Sequence, residues 1–242
     1  MIQIGNFFFK YRNLIFPVFG LMIFIPSPPL FMEETFGENY YHIPLYAGIA
    51  VAFLGQTIRA FTIGLKYIVR GGKNKKVYAE DLVTDGIFHH CRNPLYVGNI
   101  LMLFGVGIIS NSLLFLVIVV PLFCFIYQAI VLAEEAFLAK KFGGPYQQYT
   151  KEVDRWTPKV RGLFNTINHM EFNWKRYIVN EYNTIYLLAL SIIIVVYTFH
   201  PPLRMIPWSE KGLQFAIAFL TISIAYLFAR YLKKSGRLVP ET

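Results

Sequence analysis

Apolar residues run along this chain in long blocks that polar positions interrupt at only a few places. A helix needs about 20 mostly apolar residues to cross a bilayer. Six blocks approach that length: residues 11–31, 43–66, 94–110, 112–138, 183–200 and 212–232. The pattern predicts an all-α fold, a polytopic transmembrane helical bundle of about six spans. Only Ser110, Asn111 and Ser112 separate the third and fourth blocks, a polar tip that suits a tight helical hairpin. Pro121 removes one helical hydrogen bond inside the fourth block and should kink or break it. Gly48, Gly55 and Gly64 in the second block, with Gly98, Gly105 and Gly107 in the third, permit close backbone approach. That suits helix packing or access of a cofactor. The first block leads through "FIPSPPLF" rather than to a small-residue cleavage site, so it reads as a retained span. No internal repeat, low-complexity tract or heptad pattern is present.

Composition strengthens this picture. Hydrophobic residues make up 55% of the 242, charged residues only 15%, where soluble domains carry roughly a quarter charged. The net charge of +9 would suggest nucleic acid in a soluble protein. Here its distribution gives a different meaning. With the N-terminus inside, one face collects Lys10, Arg12, Lys66, Arg70, Lys73, Lys75, Lys76 and Arg92. The same face takes Lys140, Lys141, Lys151, Arg155, Lys159, Arg161, Lys175 and Arg176, then Lys233, Lys234 and Arg237. The other face holds Glu33, Glu34, Glu38, Arg204, Glu210 and Lys211. An even number of spans with both termini cytoplasmic satisfies the positive-inside bias, and no nucleic-acid partner is needed to explain the charge. Residues 67–93 and 139–181 are then the inter-span segments long enough to build a site. Residues 160–182 fit either a basic helix lying in the interface or a plain polar linker.

The residues with chemistry gather in those two segments. The first runs "LVTDGIFHHCRNPLYVG" (82–98) and the second "EEAFLAKKFGGPYQQYTKEVDRWTP" (134–158). Pro94 suits a first helical turn, which turns the positive dipole end of the third span toward the cytoplasmic surface, with Arg92 beside it. An anion fits there; taken alone, Arg92 also fits a cation snorkelling to phosphate. Glu134 and Glu135 continue an apolar run, a costly position that implies partners or function, unless they only mark the exit of the helix into water. His89, His90 and Cys91 are adjacent and lack metal-ligand spacing, so no metal site is expected. Cys91 and Cys124 read as free thiols. Arg59, inside the second span, fits a structural ion pair or a reach into the site.

These two segments resemble the isoprenylcysteine carboxyl methyltransferase family and its phospholipid methyltransferase relatives. Leu82, Val83, Thr84, Gly86, Arg92, Pro94, Tyr96 and Gly98 match the first motif of that family. Glu134, Glu135, Leu138, Phe142, Gly143, Tyr146, Tyr149, Val153, Arg155, Trp156 and Pro158 match the second. Asn93 stands where the family commonly has histidine, and Asp154 where proline is frequent. The resemblance covers residues 43–158 and implies methyl transfer from S-adenosylmethionine to a lipophilic acceptor that enters from the bilayer. By the same resemblance Val83, His89, Arg92, Asn93, Pro94, Tyr96, Gly98, Glu134, Glu135, Tyr146 and Tyr149 bind the cofactor, and Arg155, Glu135 and Arg92 serve catalysis. Residues 1–158 would form the core, and 159–242 an interfacial segment plus two added spans that complete an acceptor cavity or mediate association. Two other readings stand beside it, a nicotinamide-dependent reductase of related fold and a transporter or structural membrane protein.

Overall fold

The structure is a computed structural model, and it describes residues 1–66, 72 and 77–238. Arg70, Lys73, Lys75 and Lys76, part of the expected cytoplasmic charge, lie outside the described residues. Ten α-helices occur among the described residues: α1 (Ile2–Gly20), α2 (Glu33–Phe36), α3 (His42–Leu65), α4 (Pro94–Ser110), α5 (Val120–Phe142), α6 (Gly144–Glu152), α7 (Leu163–His169), α8 (Trp174–Phe199), α9 (Pro201–Arg204) and α10 (Trp208–Lys234). Five are long and apolar enough to cross a membrane, α1 and α5 counted with the turns that extend them, and α4 is a shorter apolar helix. The six expected spans thus each have a helix.

Two of them start earlier than hydropathy suggested. Helix α1 begins at Ile2 and continues through a 3-10 turn, Leu21–Phe24, so Lys10 and Arg12 are helical rather than flanking. Helix α8 begins at Trp174 instead of near residue 183. Its polar first turns have partners inside the bundle. Asn173 caps the helix by accepting from the Arg176 amide, and Arg176 Nη2 donates to Gly64 O at the end of α3, 2.7 Å away. Farther along, Glu181 is fully buried against Arg59.

Helices α3 and α4 meet backbone to backbone. A Cβ on Gly55 would come within 2.6 Å of Gly98 O, and one on Gly105 within 2.6 Å of Gly48 O. The glycine pattern therefore serves packing. At the hairpin tip Asn111 takes the left-handed conformation (φ 54), and its side chain accepts from the Leu30 and Phe31 amides and donates to Phe31 O. Pro121 does not end its helix. A π-helical turn, Phe115–Val119, precedes it and joins directly to α5, absorbing the missing donor within a wider turn. The core lies between α1, α4 and α5, where Phe16 packs edge-on against Phe123 and Tyr127 with centroids 5.1 and 5.3 Å away.

Helix α8 packs on α3 and α4, and α10 packs on α8. The Arg59–Glu181 pair is the main polar link: Nε and Nη2 each lie 2.7 Å from a carboxylate oxygen. Burial of this kind requires full satisfaction. Arg59 Nη1 supplies it by donating to Asn99 Oδ1 (2.6 Å) and Leu95 O (3.2 Å).

Candidate active site

The two chemistry-bearing segments are joined by direct bonds. A 3-10 turn, Gly86–His89, leads into the loop before α4, and Gly86 needs its positive φ of 62 to make that turn. The loop then lies along the chain that leaves α6. The Arg92 amide donates to Asp154 O, and the Lys159 amide to His90 O. His90 Nδ1 faces Lys159 O at 2.7 Å, a carbonyl that can only accept, so this nitrogen carries the hydrogen. Its Nε2 meets Thr166 Oγ1 at 2.8 Å, which ties α7 to the same loop. Cys91, fully buried, points its thiol at the carbonyls of Arg155 and Trp156. Burial pushes that thiol up from its ordinary value.

Above this seam lie the two glutamates. They are adjacent on α5 and face different partners, as neighbouring helical residues must. Tyr96 donates to Glu134 Oε1 at 2.7 Å. Glu135 accepts from Arg155 through Nε (3.0 Å) and Nη2 (2.7 Å), from Asn93 Nδ2 at 3.3 Å, and has Arg92 Nη2 at 3.5 Å. The pairing with Glu135 is the leading cause holding the Arg155 guanidinium above its usual range. Asn93 occupies the N-cap of α4, but its side chain does not cap the helix. Its amide instead spans Glu135 and Arg155 O, both at 3.3 Å. Arg92 Nε is buried without a hydrogen-bond partner.

These groups close one end of a cavity of about 1210 Å³, above the roughly 300–1000 Å³ usual for a single small ligand. Val83, Arg92, Asn93, Pro94, Tyr96, Glu134, Glu135, Tyr146 and Tyr149 line it. From this polar end it extends between α1 and α8 along Phe16, Leu103, Val106, Leu187, Leu188 and Ile194. Helix α6 brings Tyr146 and Tyr149 back over the polar end through Gly143, whose φ is 56. Tyr149 donates to Phe88 O at 2.7 Å, and burial holds both phenols above their ordinary value, as hydroxyl donors. A second, open groove of about 810 Å³ beside Met1–Ile4 also reaches Glu135 and Tyr146.

Three expected site residues stand elsewhere. His89 is exposed outside the lining, Gly98 is pressed against Arg59 and Gly55 between α3 and α4, and Arg155 sits behind Glu135. Sequence reasoning passed over Arg12, Asn13, Asn99, Asn180 and Thr184, which also line the cavity. The spacing of Asn180, Thr184, Leu187 and Ser191 puts them on one helical face, so a polar stripe within an apolar block was the available signal.

Residues 45–144 match the family model for phospholipid methyltransferase. The chain is 33% identical to a protein-S-isoprenylcysteine O-methyltransferase of Schizosaccharomyces pombe, over 48% of this chain and 51% of that one. It is 26% identical to the cobalt-zinc-cadmium resistance protein CzcN of Cupriavidus metallidurans, over 61% of this chain and 62% of the relative. It is 24% identical to the nickel-cobalt-cadmium resistance protein NccN of Alcaligenes xylosoxydans xylosoxydans, over 60% and 66%. The chain therefore spans between about half and two thirds of the length of these relatives. No solved structure matches. Five helices long and apolar enough to cross a bilayer make this an integral membrane protein, and its segment 45–144, with α4, α5, both glutamates and most of α3, is similar to the phospholipid methyltransferase family.

Proposed function

We propose that this protein transfers a methyl group from S-adenosylmethionine to a lipophilic acceptor at the cytoplasmic face of its membrane. One observation carries the reading: a single cavity joins an arginine–glutamate end to a long apolar arm between α1 and α8, with room for two ligands. The gathering of Lys and Arg on the loops of that side supports the orientation.

The residues fit the methyl donor, which carries a carboxylate, an ammonium and a sulfonium. Arg92, with its unpartnered buried Nε, would take the carboxylate, and Glu134 and Glu135 the cationic groups. Asn93, Pro94, Tyr96, Val83, Tyr146 and Tyr149 would wall it in. When bound, the donor supplies an electrophilic methyl carbon.

The chain's own residues supply alignment. Arg155 fixes the Glu135 carboxylate through two contacts, and Tyr96 fixes Glu134, so both are oriented before a ligand arrives. Tyr146 and Tyr149 cover the polar end, while the apolar arm excludes water. Proximity and desolvation can together supply much of the rate of a displacement that asks for little proton movement. A carboxylate acceptor arrives ionised. An amine or thiol acceptor would give its proton to a glutamate.

The names of two relatives concern resistance to cobalt, zinc, nickel and cadmium. Methyl transfer is the better-supported reading because residues 45–144 match the phospholipid methyltransferase family model and the relative with 33% identity is a protein-S-isoprenylcysteine O-methyltransferase. Calorimetric titration of the detergent-solubilised protein with S-adenosylhomocysteine tests the proposal. Binding by wild type and its loss in Glu135→Ala is the expected pair of results. No binding by wild type, with tight binding of a reduced nicotinamide, would move the assignment to a reductase. Mass spectrometry of lipids methylated from labelled donor then identifies the acceptor.

A further inference from the structure

Beyond its polar end the cavity keeps an apolar lining for a fixed depth. On α8 the lining runs from Thr184 to Val195 and on α1 from Asn13 to Phe24, a separation of eleven residues in each case, about 16 Å at the rise of an α-helix. On α4 it ends at Val106, and Phe115 of the π-helical turn continues it. Ser191, polar in sequence, spends its hydroxyl on Leu187 O of its own helix at 2.8 Å. The arm therefore favours hydrocarbon.

The far end is closed. Ile23, Val106, Phe115, Phe123 and Val195 line the cavity there and pack into one cluster, each at most 8% exposed. Phe115 is wedged against α4 where Gly107 leaves space, since a Cβ on that glycine would come within 2.9 Å of Phe115 Cδ1. Phe24 stacks on Phe199 with centroids 5.9 Å apart, which ties the end of α1 to the end of α8. Behind this layer the chain after α1 is laced to the hairpin tip. The Leu113 amide donates to Pro28 O (3.1 Å) and the Leu114 amide to Ser27 Oγ (2.8 Å), beside the two bonds that Asn111 Oδ1 accepts. Ile23, Phe24, Val195 and Phe199 stand outside the matched segment 45–144, so parts of the chain that the family model does not reach help to set the depth.

We propose that the arm measures the apolar chain of the acceptor, admitting one that reaches about 16 Å beyond the head and rejecting longer ones, with Val106 and Phe115 setting the limit; this rests on the methyl-transfer reading above. A chain that stops short leaves apolar wall uncovered, and each further methylene it buries adds to affinity. A chain that overruns meets the floor and must bend or lift its head away from the methyl donor. Displacement in line tolerates little misplacement of the nucleophile, so the limit acts on turnover as well as on binding.

Binding of a chain series tests it. Detergent-solubilised protein is offered equimolar monoacylglycerols with octanoyl, dodecanoyl, hexadecanoyl, eicosanoyl and tetracosanoyl chains, and native mass spectrometry reads which are retained. The uncharged head keeps the arginines out of the comparison. Occupancy should peak at dodecanoyl or hexadecanoyl, whose extended lengths bracket the depth of the arm, and fall by about tenfold for the longest chains, the scale of overpacking a closed site. Val106→Phe adds a ring above the floor and should move the optimum to a shorter chain. Phe115→Ala opens the floor and should move it to a longer one, with S-adenosylhomocysteine affinity unchanged in both. Occupancy that climbs through tetracosanoyl, or that ignores chain length, overturns the proposal, as does an optimum that Val106→Phe leaves in place. If the cavity left by Phe115→Ala prevents folding, Val106→Phe decides alone. Failure of wild type to bind S-adenosylhomocysteine sinks methyl transfer, whereas a missing chain optimum in protein that binds it sinks only the length limit.

Discussion

Replacing Glu181 by alanine should be among the most damaging single changes away from the cavity's polar end. The carboxylate is 0% exposed and Arg59 3%, with two contacts of 2.7 Å between them. Removing it strands a guanidinium between α3, α4 and α8 with no counter-charge. Breaking a buried pair in this way costs about 3–5 kcal/mol. For a chain of this size each kcal/mol lowers the melting temperature by about 2–4 °C, so Glu181→Ala should melt roughly 10 °C below wild type in the same detergent, followed by intrinsic tryptophan fluorescence. The double variant Arg59→Met with Glu181→Leu should recover most of the loss, since apolar side chains of similar volume often replace such pairs without penalty. Its cavity would still be altered, because Arg59 Nη1 also holds Asn99 in the lining. A single variant that melts within about 3 °C of wild type would refute the argument, as would a double variant no more stable than Glu181→Ala.

Three further outcomes follow from other contacts. Tyr96→Phe removes the 2.7 Å bond to Glu134 while keeping the ring, and should weaken S-adenosylhomocysteine by about tenfold in calorimetry with little change in melting. Gly55→Leu pushes a side chain into Gly98 O and Met102 N, where even a Cβ would come within 2.6 and 2.9 Å; overpacking should cost about 1–3 kcal/mol or more, read as a lower melting temperature. Cys91 is fully buried and its thiol is raised by that burial, so mass spectrometry should find it unalkylated by maleimide in the folded protein and alkylated after denaturation.

Much of this arrangement can be read from the chain because a bilayer imposes a length and a polarity on each helix. The block 94–110 and helix α4 coincide, since Pro94 opens it and Asn111 closes it. Helix α8 was harder to delimit. Lys175, Arg176, Asn180 and Glu181 look like a loop to any hydropathy average, yet Arg176 and Glu181 are buried, against Gly64 O and Arg59. Pairing across α3 and α8 is a tertiary fact that no local window contains. The same holds for Arg12, which counts as a flanking cation by sequence and lines the cavity only because α1 crosses α5 at Gly5, where Ala129 and Ala133 leave no room for a side chain. The glutamate pair was legible from its place at the end of an apolar run. Its partner Asn93 was visible only as a departure from the family, and the bonds to Glu135 and Arg155 O show what the amide does there.

The seam between the two motifs also bears on how the protein is made. Its bonds join residues 62 to 69 positions apart, Asn93 with Arg155 and His90 with Lys159. Between them lies the whole α4–α5 hairpin. The loop before α4 thus leaves the ribosome well ahead of the partner that orders it, and it must wait until α5 is inserted and α6 has turned back. Contacts of such long range repay their closure entropy late. The cavity's polar end should accordingly assemble only after α6 is made, and a chain stalled within α5 would have α1, α3 and α4 made but no pocket.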